Sequence, residues 1–138
     1  MKANSYLIIL FVSLLSLSCK KENHISTALK GSWLLNERVE ITIAGLNRYP
    51  ADLQKPVIIT FDNNKNYTAS ENAQVTVNGS YKVVDDYHDR YYNGKAIFVN
   101  NKIIGTYTIR PGKPDTLIID GAFLGIDASS GAKYVRLK

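Results

Sequence analysis

Gly31-Ser32-Trp33-Leu34-Leu35-Asn36-Glu37-Arg38-Val39-Glu40-Ile41-Thr42-Ile43 is the stretch that decides how this chain folds. Trp33, Leu35, Val39, Ile41 and Ile43 are apolar, and Ser32, Asn36, Arg38, Glu40 and Thr42 alternate with them. Side chains of an extended backbone point alternately to its two faces, so a period of two describes a strand with one face turned to a core. Leu34 and Glu37 break the alternation.

Downstream the same period returns. After a loop containing Gly45 and Tyr49-Pro50, the apolar positions Val57, Ile59 and Phe61 resume it, and Asp62-Asn63-Asn64-Lys65-Asn66 supplies turn chemistry because Asn and Asp tolerate left-handed backbone. Val57 to Glu71 therefore reads as a hairpin. Further strands are expected over Gln74 to Val84, Lys95 to Val99, Ile103 to Ile109, Asp115 to Asp120 and Ala132 to Leu137, with turns at Asn100-Asn101, Pro111 to Pro114 and Ser129-Ser130-Gly131. No long amphipathic helix is expected. A short helical turn stays open near Ala51 to Gln54 and within Ala122 to Ala128. The expected class is all-β, a small antiparallel up-and-down β-barrel of about eight strands, with a β-sandwich as the alternative that strand counting leaves standing.

Composition narrows the rest. The 138 residues suit one compact domain, and a single cysteine with two histidines excludes an internal disulfide and a structural zinc site. Seventeen Lys+Arg stand against 12 Asp+Glu, but they are scattered, with no run beyond Lys20-Lys21, so no nucleic-acid stripe is visible. Residues 1–18 carry Lys2, an apolar run from Tyr6 to Leu17 and a small Ser18, which is a secretory signal in length and flanks and too short for a spanning helix. Residues 20–30 are polar and read as a tether, with His24 inert within it. The organisation is 1–18 signal peptide, 19–30 modified cysteine and tether, and 31–138 folded domain.

Two resemblances sharpen this reading. Ser16-Leu17-Ser18-Cys19 followed by Lys20-Lys21-Glu22 resembles the signal of bacterial lipoproteins, in the looser form found in the Bacteroidota. Ser16 departs from the leucine usual at that position. The resemblance implies a lipid anchor on Cys19, a membrane partner and a place in the bacterial cell envelope, at the outer membrane; several acyl chains hold a domain stably where one does not. Gly31-Ser32-Trp33 resembles the Gly-x-Trp signature of lipocalins, and Arg136 stands where that family has an arginine packed across the tryptophan. Ile59 to Tyr67 and Gly79-Ser80-Tyr81-Lys82-Val83 are similar to the hairpin and following strand of bacterial lipocalin-like domains. This likeness implies the barrel and a small hydrophobic or amphipathic ligand inside it, with Leu35, Val39, Ile41, Val57, Ile59, Phe61, Tyr81 and Tyr107 on the inner wall. The chain is shorter than a full lipocalin, and the same inner residues fill a solid core if the barrel closes upon itself.

The remaining chemistry is sparse. Asp85-Asp86-Tyr87-His88-Asp89-Arg90-Tyr91-Tyr92-Asn93-Gly94 concentrates tyrosines and aspartates in what the flanking strands make a loop. Its order does not match a calcium loop and no second histidine is near, so no metal is expected there. Tyr87, His88, Tyr91 and Tyr92 are the candidates for meeting an envelope protein or glycan, because tyrosine joins a rigid apolar body to a polar tip. No nucleophile elbow or phosphate loop is present, no catalytic residue is expected and no cofactor is implied. The two open functions are a non-catalytic carrier of a small ligand and an interaction module that works through the tyrosine loop. An inhibitor of a hydrolase, working through the same loop, is a third class without specific support.

Overall fold

The structure, a computed structural model, describes residues 27–125 and 128–138, and of 122–125 and 128 the backbone alone. Cys19, Ile126 and the side chains of Phe123 and Leu124 lie outside the described residues. The elements are β1 (Gly31–Thr42), β2 (Gly45–Pro50), β3 (Val57–Phe61), β4 (Asn66–Glu71), β5 (Gln74–His88), β6 (Asn93–Val99), β7 (Lys102–Arg110), β8 (Thr116–Gly125) and β9 (Ala128–Arg136). All neighbours pair antiparallel in a single sheet, and β1 also pairs with β9, so the sheet closes in a ring. The fold is all-β and barrel-like. Two stacked sheets, the sandwich alternative, do not form.

β2 was expected to be loop. It pairs with the upper half of β1 while β3 pairs with the lower half: Pro50 stands opposite Glu37 and Ile58 opposite Leu34. Three positions on β1 thus answer eight on the other side, so β2 and β3 are one long strand with a five-residue excursion between them. Counted that way, the ring has eight strands. The excursion carries a turn in which Gln54 N–H bonds the Asp52 carboxylate at 2.9 Å, and no helix forms there.

The tight connections follow from residue chemistry. Asn72-Ala73 and Asn100-Asn101 each join two strands, and all four residues have positive φ. Paired left-handed residues match the right-handed twist of the flanking strands. Gly105 has φ +149°, and a Cβ there would sit 2.4 Å from the Asp120 carbonyl, so the close approach of β7 to β8 requires glycine at this position.

Up-and-down order gives the ring two distinct ends. The turns after β3, β5 and β7, together with residues 27–30 and 137–138, lie at one end; the turns after β1, β4 and β6 lie at the other. The first end is packed. Leu29, Trp33, Phe61, Ile97 and Leu117 are each fully buried, and Phe61 meets Tyr67 and Tyr81 with ring centroids 5.3 and 5.0 Å away.

Candidate functional site

Asn36 changes the geometry of the far end. Leu35 stands opposite Tyr134 and Glu37 opposite Lys133, so Asn36 is an extra residue in β1, a β-bulge. An extra residue reverses which face the following side chains occupy. Beyond it, Arg38 and Glu40 take the inner face, opposite Ala132 and Ser130, and Val39 and Ile41 take the outer face, opposite Gly131 and Ser129. This corrects the expectation for Ile41; the Val39 side chain turns outward by register, yet Val39 still borders the inner hollow. Ile41 is 50% exposed, and both residues line an outer furrow above the bare backbone of Gly131.

The inner face of that end borders an open hollow of about 310 Å³ lined by Tyr67 of β4, Ile104 of β7, Ile119 of β8 and Ala132 and Tyr134 of β9, with Arg38, Val39 and Glu40 of β1 along its rim. A second hollow of about 240 Å³ lies between Leu35, Val57 and the 51–55 excursion, and Arg38 lines it too. Arg38 therefore stands between the two. The volume of the first sits at the small end of the roughly 300–1,000 Å³ typical of ligand pockets. Burial pushes the Tyr67 hydroxyl up to about 12, with Tyr134 adding to the effect. Burial raises Tyr134 as well, while the positive charge of Arg38 acts on it in the opposite direction. The two phenols and the guanidinium thus share one electrostatic neighbourhood. Among the described residues Arg38 makes no ion pair, whereas Arg48 and Lys133 both hold Glu37, at 3.1 and 2.8 Å.

Of the eight residues assigned to an inner wall, Leu35 and Val57 border the hollow beside Arg38. Ile59, Phe61, Tyr81 and Tyr107 are buried, with Phe61 and Tyr81 in the aromatic packing of the closed end. A further cleft of about 560 Å³ opens in the wall near the closed end, between Asn93–Lys95 of β6 and Thr106–Ile109 of β7, where the pairing of those strands stops. Tyr107 borders it.

The signature residues meet at the closed end. Trp33 Nε1–H donates to the Leu29 carbonyl at 2.8 Å, and the Arg136 guanidinium lies 4.0 Å above the indole ring. Arg136 also donates to the carbonyls of Lys30 and Ala28 and to the Asp115 carboxylate. A backbone N–H of Gly112 and then Arg136 hold the Asp115 carboxyl below its ordinary value. Gly31 is at φ +116°, and a Cβ would lie 3.0 Å from Arg136 Nη1, so glycine leaves the arginine its path.

Most of the expected tyrosine loop is strand. β5 runs through Tyr87 and His88, and β6 begins at Asn93, leaving only Asp89–Tyr92 as the turn. The Asp89 carboxylate organises it by accepting N–H bonds from Tyr91 and Tyr92, each at 2.7 Å, and the Tyr87 hydroxyl at 2.9 Å. Tyr87 packs edge-on against Phe98, 5.3 Å away, and His88 contacts Asp86 at 2.6 Å. Tyr91 is 55% exposed with Arg90 5.5 Å over its ring. Among the described residues, no group of three or more His, Cys, Asp or Glu side chains is placed to hold a metal ion.

Sequence reasoning missed Arg38, Ala132 and Tyr134 as cavity residues. Its signal was Glu37, the polar residue that interrupts the apolar alternation where the bulge begins. No protein-family model, curated protein or solved structure matches the chain.

Proposed function

We propose that this chain is a membrane-anchored, non-catalytic lipocalin-like lipoprotein that holds a small hydrophobic or amphipathic molecule in the open end of its ring. The observation that carries this reading is the hollow of about 310 Å³ on the inner face at Ala132, beyond a core that aromatic and aliphatic side chains fill around Trp33. The Trp33–Arg136 stack supports the likeness to lipocalins. Residues 27–30 lead into the ring at the filled end, so an anchor on Cys19 would join the ring at the end away from the cavity. The outer membrane of a bacterial envelope is the location this anchor implies.

A second reading has its own observation. Tyr91 and Arg90, exposed beside one another on the Asp89 turn, are residue types favoured in protein contacts, which suits an interaction module for an envelope protein or glycan. On this reading the turn is the working surface.

Native mass spectrometry separates the two. The chain from Lys20, which carries every strand of the ring, is produced in a bacterial host and any retained molecule is extracted and identified. A stoichiometric small molecule supports the carrier reading. A bare mass, with no uptake from a lipid and metabolite mixture, overturns it and directs attention to partners of the Asp89 turn.

A further inference from the structure

Resting on the carrier reading, we infer that the ligand is an anionic amphiphile, with its acidic group on Arg38 and its short apolar part between Tyr67, Ile104, Ile119 and Tyr134.

The bulge at Asn36 is the origin of this selectivity. Without the extra residue, Val39 and Ile41 would face inward and the rim would be oily; with it, a guanidinium takes the inner face. Arg38 borders both the 310 Å³ cavity and the 240 Å³ hollow, so a group bound there is reached from either side. Among the described residues Arg38 makes no ion pair, although Asp52 and Glu71 line the 240 Å³ hollow with it, while the neighbouring Glu37, directed outward by the same bulge, is held by Arg48 and Lys133. A planar guanidinium offers paired donors that match a carboxylate or phosphate in two bonds. Below it the walls are aromatic and aliphatic, and the Tyr67 and Tyr134 hydroxyls, protonated at neutral pH like any phenol, are further donors to an acidic oxygen. Glu40 at the same rim disfavours a second negative charge on the ligand, which selects a monoanion over a dianion. The cavity volume limits the apolar part to a short chain or a single ring.

Calorimetry with octanoate, 1-octanol and octylammonium tests the assignment, because the three share one tail and differ in head charge. Octanoate is expected to bind the chain from Lys20 about tenfold more tightly than octanol, with octylammonium the weakest, as a charge-assisted pair at a partly screened rim implies. Arg38→Gln should remove that advantage and leave octanol binding unchanged, and Ala132→Trp should abolish both. Equal binding of octanoate and octanol, or an octanoate affinity that Arg38→Gln does not alter, overturns the anion assignment while an open cavity stands. If none of the three binds, the carrier reading falls as well.

Discussion

The guanidinium of Arg136, from the last strand, lies 4.0 Å above the indole of Trp33, from the first, and the two residues stand directly opposite one another in the β1–β9 register. The residues that close the ring are thus also those that seal its end. Arg136 reaches on to the carbonyls of Lys30 and Ala28, which fixes the incoming segment and seats Leu29 beneath the tryptophan.

Arg136→Ala removes a cation–π contact and leaves the part-buried Lys30 carbonyl and Asp115 carboxylate without their donor, at an expected cost of about 3 kcal/mol. Arg136→Lys should recover only part of it, since an ammonium cannot cover the ring and bond three separate acceptors at once. Urea unfolding reads both values. A loss below about 0.5 kcal/mol for the alanine variant, the range of ordinary surface changes, would show that the seal is not structural.

The bulge makes a sharp distinction between two isoleucines. Ile41→Lys is expected to change stability by less than about 0.5 kcal/mol, because its side chain lies on the outer face. Ile119→Lys, on the inner wall and 7% exposed, is expected to cost about 3 kcal/mol or more through an unpaired buried charge. Similar costs for the two in thermal or urea unfolding would place Ile41 inside.

Ala73 occupies a left-handed position, φ 61°, in the turn between β4 and β5. A Cβ is unfavourable there, so Ala73→Gly is expected to stabilise the protein by about 1 kcal/mol, as in other turns of this kind. An unchanged or lower urea midpoint counts against this turn geometry.

Alkaline pH should unfold the chain through its tyrosines. Burial raises Tyr67, Tyr81 and Tyr134, Tyr67 from 10.0 to about 12. Above pH 10 the unfolded chain has already released these protons and the folded chain has not, so raising pH favours unfolding. The stability held by the neutral phenols is complete below pH 10 and declines as pH rises through the folded values. Tyrosinate absorbance is expected to rise late for these residues and to coincide with loss of structure; one simple titration near pH 10 with the fold intact would contradict their burial.

The filled end was legible in the sequence, and the hollow end was not. Trp33, Ile59, Phe61, Tyr81 and Arg136 stand in stretches of unbroken alternation, clear of the bulges in their strands, where period alone assigns the face. Val39 and Ile41 continue that alternation in the sequence, but the chain spends one residue on a bulge and the same apolar positions emerge outside. Glu37 marked the place, although a single polar residue does not distinguish a bulge from a tolerated exception. β2 escaped because Gly45 and Tyr49-Pro50 carry loop chemistry, and only pairing with a long neighbour makes them strand. The same holds for Asp85 to Gly94, where turn-prone residues are drawn into β5 and β6 by their partners.

The central claim is a cavity on the inner face beside Ala132, and two tryptophans on adjacent strands test it most directly. Native mass spectra of the chain from Lys20 are recorded after exposure to a mixture of short-chain amphiphiles, with Ala132→Trp to fill the cavity and Ile41→Trp on the outer face as the control. The account predicts a bound molecule on the parent chain and on Ile41→Trp, and none on Ala132→Trp, with all three folded by circular dichroism. Uptake that survives Ala132→Trp, or that Ile41→Trp abolishes, would contradict it.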